Sequence, residues 1–172
     1  MSPARQAGLQ ASPPDFSPRD FRATLGMFAT GVTIVTARTA AGHPVGLTAN
    51  SFNSVSLNPP LVLWSLSLAS PSLAAFSQAS HFAVNVLAAD QQALSERFAR
   101  RNSDKFADVD WREGLGGAPL LSGCCAVLEC RNEAQHAGGD HLIFIGRVEG
   151  CSRQHKAPLL FHGGRYRVLG DA

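Results

Sequence analysis

The chain has 172 residues, of which 45% are hydrophobic and 16% charged, and a formal net charge of +2 from 15 Lys and Arg against 13 Asp and Glu. That balance is too small for a nucleic-acid footprint, and no stretch approaches the roughly 18 apolar residues of a membrane span. The length predicts one domain with a real core. A charged fraction below the roughly 25% of ordinary soluble domains predicts a sizeable apolar interface with a second subunit.

Residues 1–17 contain Pro3, Pro13 and Pro14 among Gly, Ala, Gln and Ser, and read as a disordered arm before a single domain over 18–172. No basic-then-apolar secretory order opens the chain, so a cytoplasmic location is expected. Ser17 and Pro18 are placed as the cap and first residue of a helix running to Phe28, with Phe21, Leu25 and Phe28 on one face and Gly31 ending it. Val32 to Arg38 and Pro44 to Asn50 then read as two arms of a hairpin around the turn Thr39 to Gly42.

Gly46 to Pro60, GLTANSFNSVSLNPP, is a run of small and hydroxyl-bearing residues between apolar strand patterns. Many side chains in it, Thr48, Asn50, Ser51, Asn53, Ser54 and Ser56 among them, can hydrogen-bond, and none is charged. Such a loop suits the close approach of backbone N–H groups to a large, flat, polar-edged molecule. Leu61 to Leu68 is the next strand. Its Ser65 and Ser67 share one face, followed by Ser70 and Ser72, a pattern that an apolar core would not choose. Ser70-Pro71 predicts a short helix to Phe76, Phe82 to Leu87 a strand, and Asp90 to Arg101 an amphipathic helix with Leu94 and Phe98 on one face.

Asn102 to Gly123 reads as a loop anchored by Trp111. Cys124 to Arg131 and His141 to Glu149 read as strands joined by the polar segment Asn132 to Asp140, and Leu159 to Leu169 as a closing strand pair or bent strand. Mostly hairpin-length connections with few helices favour a mainly β, antiparallel barrel. The absence of a G-x-G-x-x-G opening a helix disfavours a Rossmann-type dinucleotide fold.

The four cysteines (Cys124, Cys125, Cys130 and Cys151) form no C-x-x-C pair and read as free thiols, with Cys124 and Cys125 on opposite faces of a strand. A redox-sensitive thiol is the alternative. Histidine spacing is irregular, so no metal site is expected. Gly138 and Gly139 set Asp140-His141 where a turn enters a strand. The pair is either a turn Asp with a half-exposed His beside it or an oriented imidazole. Arg97, Arg100, Arg101 and Lys105 cluster at a helix end, as a solvated terminus or as a phosphate clamp.

FATGVTIVTA, GLTANSFNSVSLNPPLVLWSL, HFAVNVL, GDHLIFIGRV and PLLFHGGRY, in that order, resemble the flavin reductase-like family of NAD(P)H:flavin oxidoreductases. Members act as the reductase component of two-component monooxygenases. The resemblance runs from about Phe21 to Leu169. It implies an FMN-binding split β-barrel of Greek-key-like antiparallel strands with a few short flanking helices. It also implies a homodimer with flavin near the interface, and a flavin-dependent oxygenase component that receives reduced flavin. FMN is the implied cofactor (FAD and riboflavin being alternatives), and NADH or NADPH the co-substrate.

The same resemblance implies roles for particular residues. Thr48, Ala49, Asn50, Ser51 and Phe52 would line the flavin, with Ser54 and Val55 beside them. Ser65, Ser67, Asn85 and the loop Ala69, Ser70, Pro71 and Ser72 would hold the ribityl-phosphate side, and Lys105 and Arg100 would meet the phosphate. His141, the one catalytic residue, would face the nicotinamide, with Arg165 and Tyr166 closing that side. His162 and Gly163 stand where the family often has other residues. A flavin-binding electron carrier without nicotinamide turnover is the alternative, since it needs only the region 46–72. A split-barrel oxidase of pyridoxal-type phosphates is disfavoured because it leaves the GDH motif unexplained.

Overall fold

The computed structural model describes residues 15–101 and 104–170. Ser17 opens the first helix, α1 (Pro18–Leu25), its Oγ accepting from the Asp20 N–H at 3.1 Å, and Pro18 sits in the first turn where no N–H is needed. The helix stops at Gly26 rather than Gly31. There the Gly26 carbonyl accepts from the Gly163 N–H at 2.8 Å, so a C-terminal hairpin takes over the helix end. Of the expected N-terminal arm, all but Asp15, Phe16 and Ser17 lies outside the described residues.

The strands follow in chain order. They begin with β1 (Thr30–Gly31), β2 (Thr33–Arg38), β3 (Pro44–Ala49), β4 (Asn53–Leu57) and β5 (Pro60–Ser67). After helix α2 (Leu73–Gln78) comes β6 (His81–Val86), and after helix α3 (Gln92–Ala99) the short pair β7 (Trp111–Glu113) and β8 (Pro119–Leu121). The long strands β9 (Ala126–Gly138) and β10 (His141–Arg153) precede the closing hairpin β11 (Leu160–His162) and β12 (Arg165–Arg167).

Seven of these strands make one antiparallel sheet in the order β3-β2-β6-β9-β10-β5-β4. β3 and β4 are consecutive in sequence but stand at opposite edges. The sheet nevertheless curls on itself, because Val35 and Ala49 from one end and Val62, Trp64 and Phe144 from the other share a single core. The mainly β, antiparallel barrel is therefore as expected, split between β3 and the β4–β5 pair. Trp64 centres that core, stacked on Phe144 at 4.6 Å and edge-on to Phe76 at 5.0 Å. β2 is buried on both faces, since Ile34 turns the other way to meet Leu87, Phe98 of α3 and Leu159 in a second cluster.

Several boundaries differ from expectation for identifiable reasons. Asn53–Leu57 is an edge strand whose polar, exposed face hides its β pattern. Asn132 to Gly138 belongs to β9: half-exposed strands carry polar residues, and the turn shrinks to Gly139 and Asp140. Gly139 takes φ 65°, which suits the first position of a tight two-residue hairpin. Gly163 (φ 58°) and Gly164 (φ 75°) turn the last hairpin in the same economical way.

The remaining differences are smaller. Cys124 and Cys125 precede β9 rather than lying in it, with Cys124 buried against the second cluster and Cys125 half-exposed. Trp111 begins a strand paired with β8, where a loop was expected. Helix α2 starts at Leu73 because Ser67 to Ser72 forms two successive turns, Ser70 N–H to Ser67 and Leu73 N–H to Ser70. Among the described residues no helix is long and apolar enough to cross a membrane.

Candidate active site

The seam of the split barrel opens into a groove of about 660 Å³. One wall is β3, from Pro44 to Thr48; the other is the end of β5, Leu66 and Ser67, with the loop Ala69, Ser70, Pro71 and Ser72. The floor at one end is Phe98 and Phe106, packed edge-to-face at 5.0 Å. Arg100, Arg101 and Lys105 bring cationic groups to the groove, and Asp104 a single carboxylate. A smaller groove of about 220 Å³ adjoins it through Thr48 and is lined by Val32, Asn50, Ala99, Phe161 and Tyr166.

Local chemistry explains how the walls hold their shape. Ser67 Oγ accepts from the Ala69 N–H and Ser70 Oγ from the Ser72 N–H, both at 3.3 Å, so the serine loop is braced by its own side chains. Ser51 clamps the neighbouring strand, its Oγ accepting from Ser65 N–H at 2.9 Å and donating to Ser65 C=O at 3.2 Å. Lys105 donates from Nζ to the carbonyls of Phe98 (2.9 Å) and Gly46 (3.1 Å), tying the last turn of α3 to β3. Burial holds its ammonium below the usual lysine range, so an anion in the groove is a favourable partner.

Of the sequence-predicted residues, Thr48, Ser67, Ala69, Ser70, Pro71, Ser72, Arg100 and Lys105 come together in the main groove. Asn50 and Tyr166 line the smaller one. The Ala49 methyl and, in part, the Phe52 ring pack into the core. Ser54 and Val55 lie exposed on the edge strand β4, and Arg165 is exposed on β12; neither groove includes them.

Asn85 requires a correction. It is fully buried on β6, where its amide N–H groups reach Ile34 C=O (3.0 Å) and Thr36 Oγ1 (3.1 Å) while its Oδ1 accepts from Leu121 N–H at 2.8 Å. With both ends of the amide engaged in the core, it stitches β6 to β2 and β8 and faces neither groove.

His141 stands at the first position of β10, directly across the ladder from Ser67. Its Nδ1 pairs with Asp140 Oδ1 at 2.7 Å, and that hydrogen bond, reinforced by the charge of the ring when protonated, holds the Asp140 carboxyl below the usual range. The imidazole is therefore oriented by Asp140 and remains 44% exposed. Arg101 of the basic cluster joins Arg100 and Lys105 in the groove, whereas Gly46, Phe98, Asp104 and Phe106 line it without having been expected to. Gly46 lay in the small-residue stretch, and its missing Cβ was the available signal, since a Cβ there would meet the Phe98 ring at 2.7 Å. Phe106 carried none.

The groove fits a flavin mononucleotide. Its volume lies in the roughly 300–1,000 Å³ range of small-molecule sites. It offers apolar walls for a ring, hydroxyls along one side and cations at one end. Among the described residues no group of three or more His, Cys, Asp or Glu could hold a metal ion.

The flavin reductase like domain matches residues 25–170 of the chain. The FMN reductase (NADH) SmoA of Agrobacterium fabrum is 51% identical over 148 residues, covering 86% of this chain and 84% of that protein. HsaB of Rhodococcus jostii, the reductase subunit of a flavin-dependent monooxygenase, is 47% identical over 150 residues, covering 87% and 76%. Among solved structures, the NADH:FAD oxidoreductase SgcE6 of Streptomyces globisporus, in complex with NAD and FAD fragments, superposes with a TM-score of 0.84 at 42% identity, covering 90% of this chain and 95% of that one.

Proposed function

The chain belongs to the flavin reductase like family, and from that premise we propose that it reduces FMN, or FAD, with NADH and passes the reduced flavin to a separate oxygenase component. The observation that carries the reading is the seam itself. Hydroxyls and cations flank one groove, and an oriented histidine stands one strand away. Bound flavin supplies the hydride acceptor and the nicotinamide the donor, so the chain needs no nucleophile and no carboxylate dyad. Its residues bind, orient and exclude.

In this reading Arg100 and Lys105 meet the flavin phosphate, and Ser67, Ser70 and Ser72 hydrogen-bond along the ribityl chain. Thr48 and Asn50 border the ring. Tyr166, with Arg165, closes the nicotinamide side, and His141 positions the incoming carboxamide or its charge from the mouth of β10. NADH is favoured as donor because SmoA and SgcE6 carry it in their names. An oxygenase partner is favoured by HsaB, a reductase subunit.

The protein acts as a homodimer in the cytoplasm. Support for the dimer comes from α1, which buries none of its residues, and the turn after it: Phe21 and Leu25 of the helix and Met27 and Phe28 beyond it are between 50% and 77% exposed. Val168 and Leu169 add to this uncovered apolar surface.

The experiment is direct. Purified protein at catalytic concentration is mixed with FMN and NADH, then with NADPH, and nicotinamide absorbance is followed. Many turnovers that require added flavin are expected, faster with NADH. Flavin binding with neither donor oxidised would replace the reductase with the electron-carrier reading.

A further inference from the structure

Ser95 belongs to no groove, yet it touches residues from both walls of the smaller one. It lies on α3 and is fully buried, a costly place for a hydroxyl unless it is paired. Its partner is the Tyr166 phenol, 2.9 Å from Ser95 Oγ. On the same residue the backbone carbonyl accepts from Thr48 Oγ1 at 2.6 Å. Thr48 is on β3 and Tyr166 on β12, 71 residues beyond Ser95 in the chain, and both line the smaller groove. The Tyr166 ring also packs edge-on against Phe161 at 5.4 Å, so the phenol bond sets the ring's remaining freedom.

We propose that Ser95 is a positioning residue that fixes the width of the smaller groove by holding the Tyr166 phenol on one wall and the Thr48 hydroxyl on the other. The inference rests on the reading of that groove as the nicotinamide side of a flavin reductase. A buried serine kept for packing alone is replaceable by alanine. A serine that aims a tyrosine is not, because alanine leaves the ring to swing and abandons the phenol to water. The backbone contact to Thr48 survives in Ser95→Ala, so the variant isolates the tyrosine arm. Flavin binding in the main groove is largely retained, and the burden falls on the nicotinamide.

Tyr166 is the only tyrosine in the chain, which permits a direct readout. Protein grown with fluorotyrosine gives one fluorine resonance from this side chain. Ser95→Ala is expected to move that resonance, with the flavin Kd changed less than twofold. In steady state, Ser95→Ala and Tyr166→Phe are each expected to raise the KM for NADH about fivefold, the factor of one neutral hydrogen bond, with kcat little altered. Because both remove the same bond, the double variant is expected to match either single one.

A resonance unmoved by Ser95→Ala would overturn the proposal, as would effects of the two substitutions that simply multiply. Should Ser95→Ala fail to fold, Tyr166→Phe removes the same hydrogen bond from the half-exposed side, and an unchanged KM for NADH there would be equally decisive against it. A resonance that shifts in Ser95→Ala, together with a wild type that never oxidises NADH, would overturn the reductase reading while supporting the Ser95–Tyr166 coupling.

Discussion

His141 and Ser67 face each other across the β5–β10 ladder, so the oriented imidazole stands beside the hydroxyl that turns into the main groove. Residues directly opposite on an antiparallel pair share one face of the sheet, with side chains about 5 Å apart. The pairing carries His141 to the edge of the flavin site without making it a wall of that site. Its replacement is therefore expected to affect the reaction partner that arrives last. His141→Ala should lower kcat/KM for NADH about tenfold, equivalent to about 1.4 kcal/mol, while flavin affinity and melting temperature stay near wild type. Stopped-flow reduction of bound flavin checks this. An unchanged reduction rate and an unchanged KM would remove His141 from the mechanism.

Asp140 supplies the pH dependence of that arrangement. Its carboxyl is held below the ordinary aspartate range by the hydrogen bond from His141. A lowered carboxylate pKa means that the contribution is fully present above about pH 4, the unfolded value, and lost as pH falls through the lower folded one. Asp140→Asn should therefore be slower than wild type at neutral pH, with the gap closing only in strong acid. Both groups are exposed, so salt should shrink the gap as well. A gap indifferent to both salt and acid would mean that Asp140 acts through the hairpin turn instead of its charge.

Arg100 offers the cleanest test of the cationic end. Lys105 is doubly committed, to Phe98 C=O and Gly46 C=O, so its loss mixes binding with the attachment of α3 to β3. Arg100 has no ion-pair partner among the described residues and lines the same groove. Arg100→Ala should weaken FMN about tenfold, the order of one charge-assisted contact, and riboflavin hardly at all. Titration of intrinsic flavin fluorescence with both ligands measures the ratio. Equal weakening of the two would place the phosphate elsewhere.

How much of this was legible depended on whether the signal was local. The β2–β3 hairpin could be read because strand alternation and turn residues are neighbours in sequence. The Ser17-Pro18 cap was legible for the same reason. The edge strand Asn53–Leu57 was obscured, since an edge facing solvent carries the polar residues of a loop. Asn132 to Gly138 misled in the same way. Within the site, Ser67, Ser70 and Ser72 and the Arg100–Lys105 pair pointed to the main groove, whereas Ser65 of the same run lines neither groove. Asn85 misled because a buried amide and a ligand-binding amide look alike until its three partners on β2 and β8 are seen. Ser95 was invisible: its partner Tyr166 is remote in sequence and adjacent only after folding.

The four thiols should divide sharply in reactivity. Burial raises Cys130 to about 12 and Cys124 to about 11, and raises Cys125 as well, while Cys151 is exposed. Thiolate is the nucleophile, so a raised pKa and a closed surface act together. Iodoacetamide at neutral pH should modify Cys151 first and leave Cys130 unmodified until the protein unfolds. Mass spectrometry of timed digests checks the order. Early labelling of Cys130 would indicate that β6 and β9 separate readily in the native state.

Gly46 joins the stability of the barrel to the shape of the site. A Cβ at this position would lie 2.7 Å from one Phe98 ring atom and 3.2 Å from Phe106, inside the distances that packed carbons tolerate. Its carbonyl meanwhile accepts from Lys105 at 3.1 Å. The absent side chain is what lets α3 lie against β3, and that contact sets the floor of the main groove. Gly46→Val must displace the Phe98 ring, and overpacking of this kind costs about 1–3 kcal/mol. Melting temperature should fall accordingly, and FMN affinity should fall with it because the displaced ring moves into the cavity. A further prediction separates the two effects: Phe98→Leu in the Gly46→Val background restores room and should recover part of both. Loss of stability without loss of FMN affinity would show that the floor yields away from the groove, and that Phe98 has no part in shaping the flavin site.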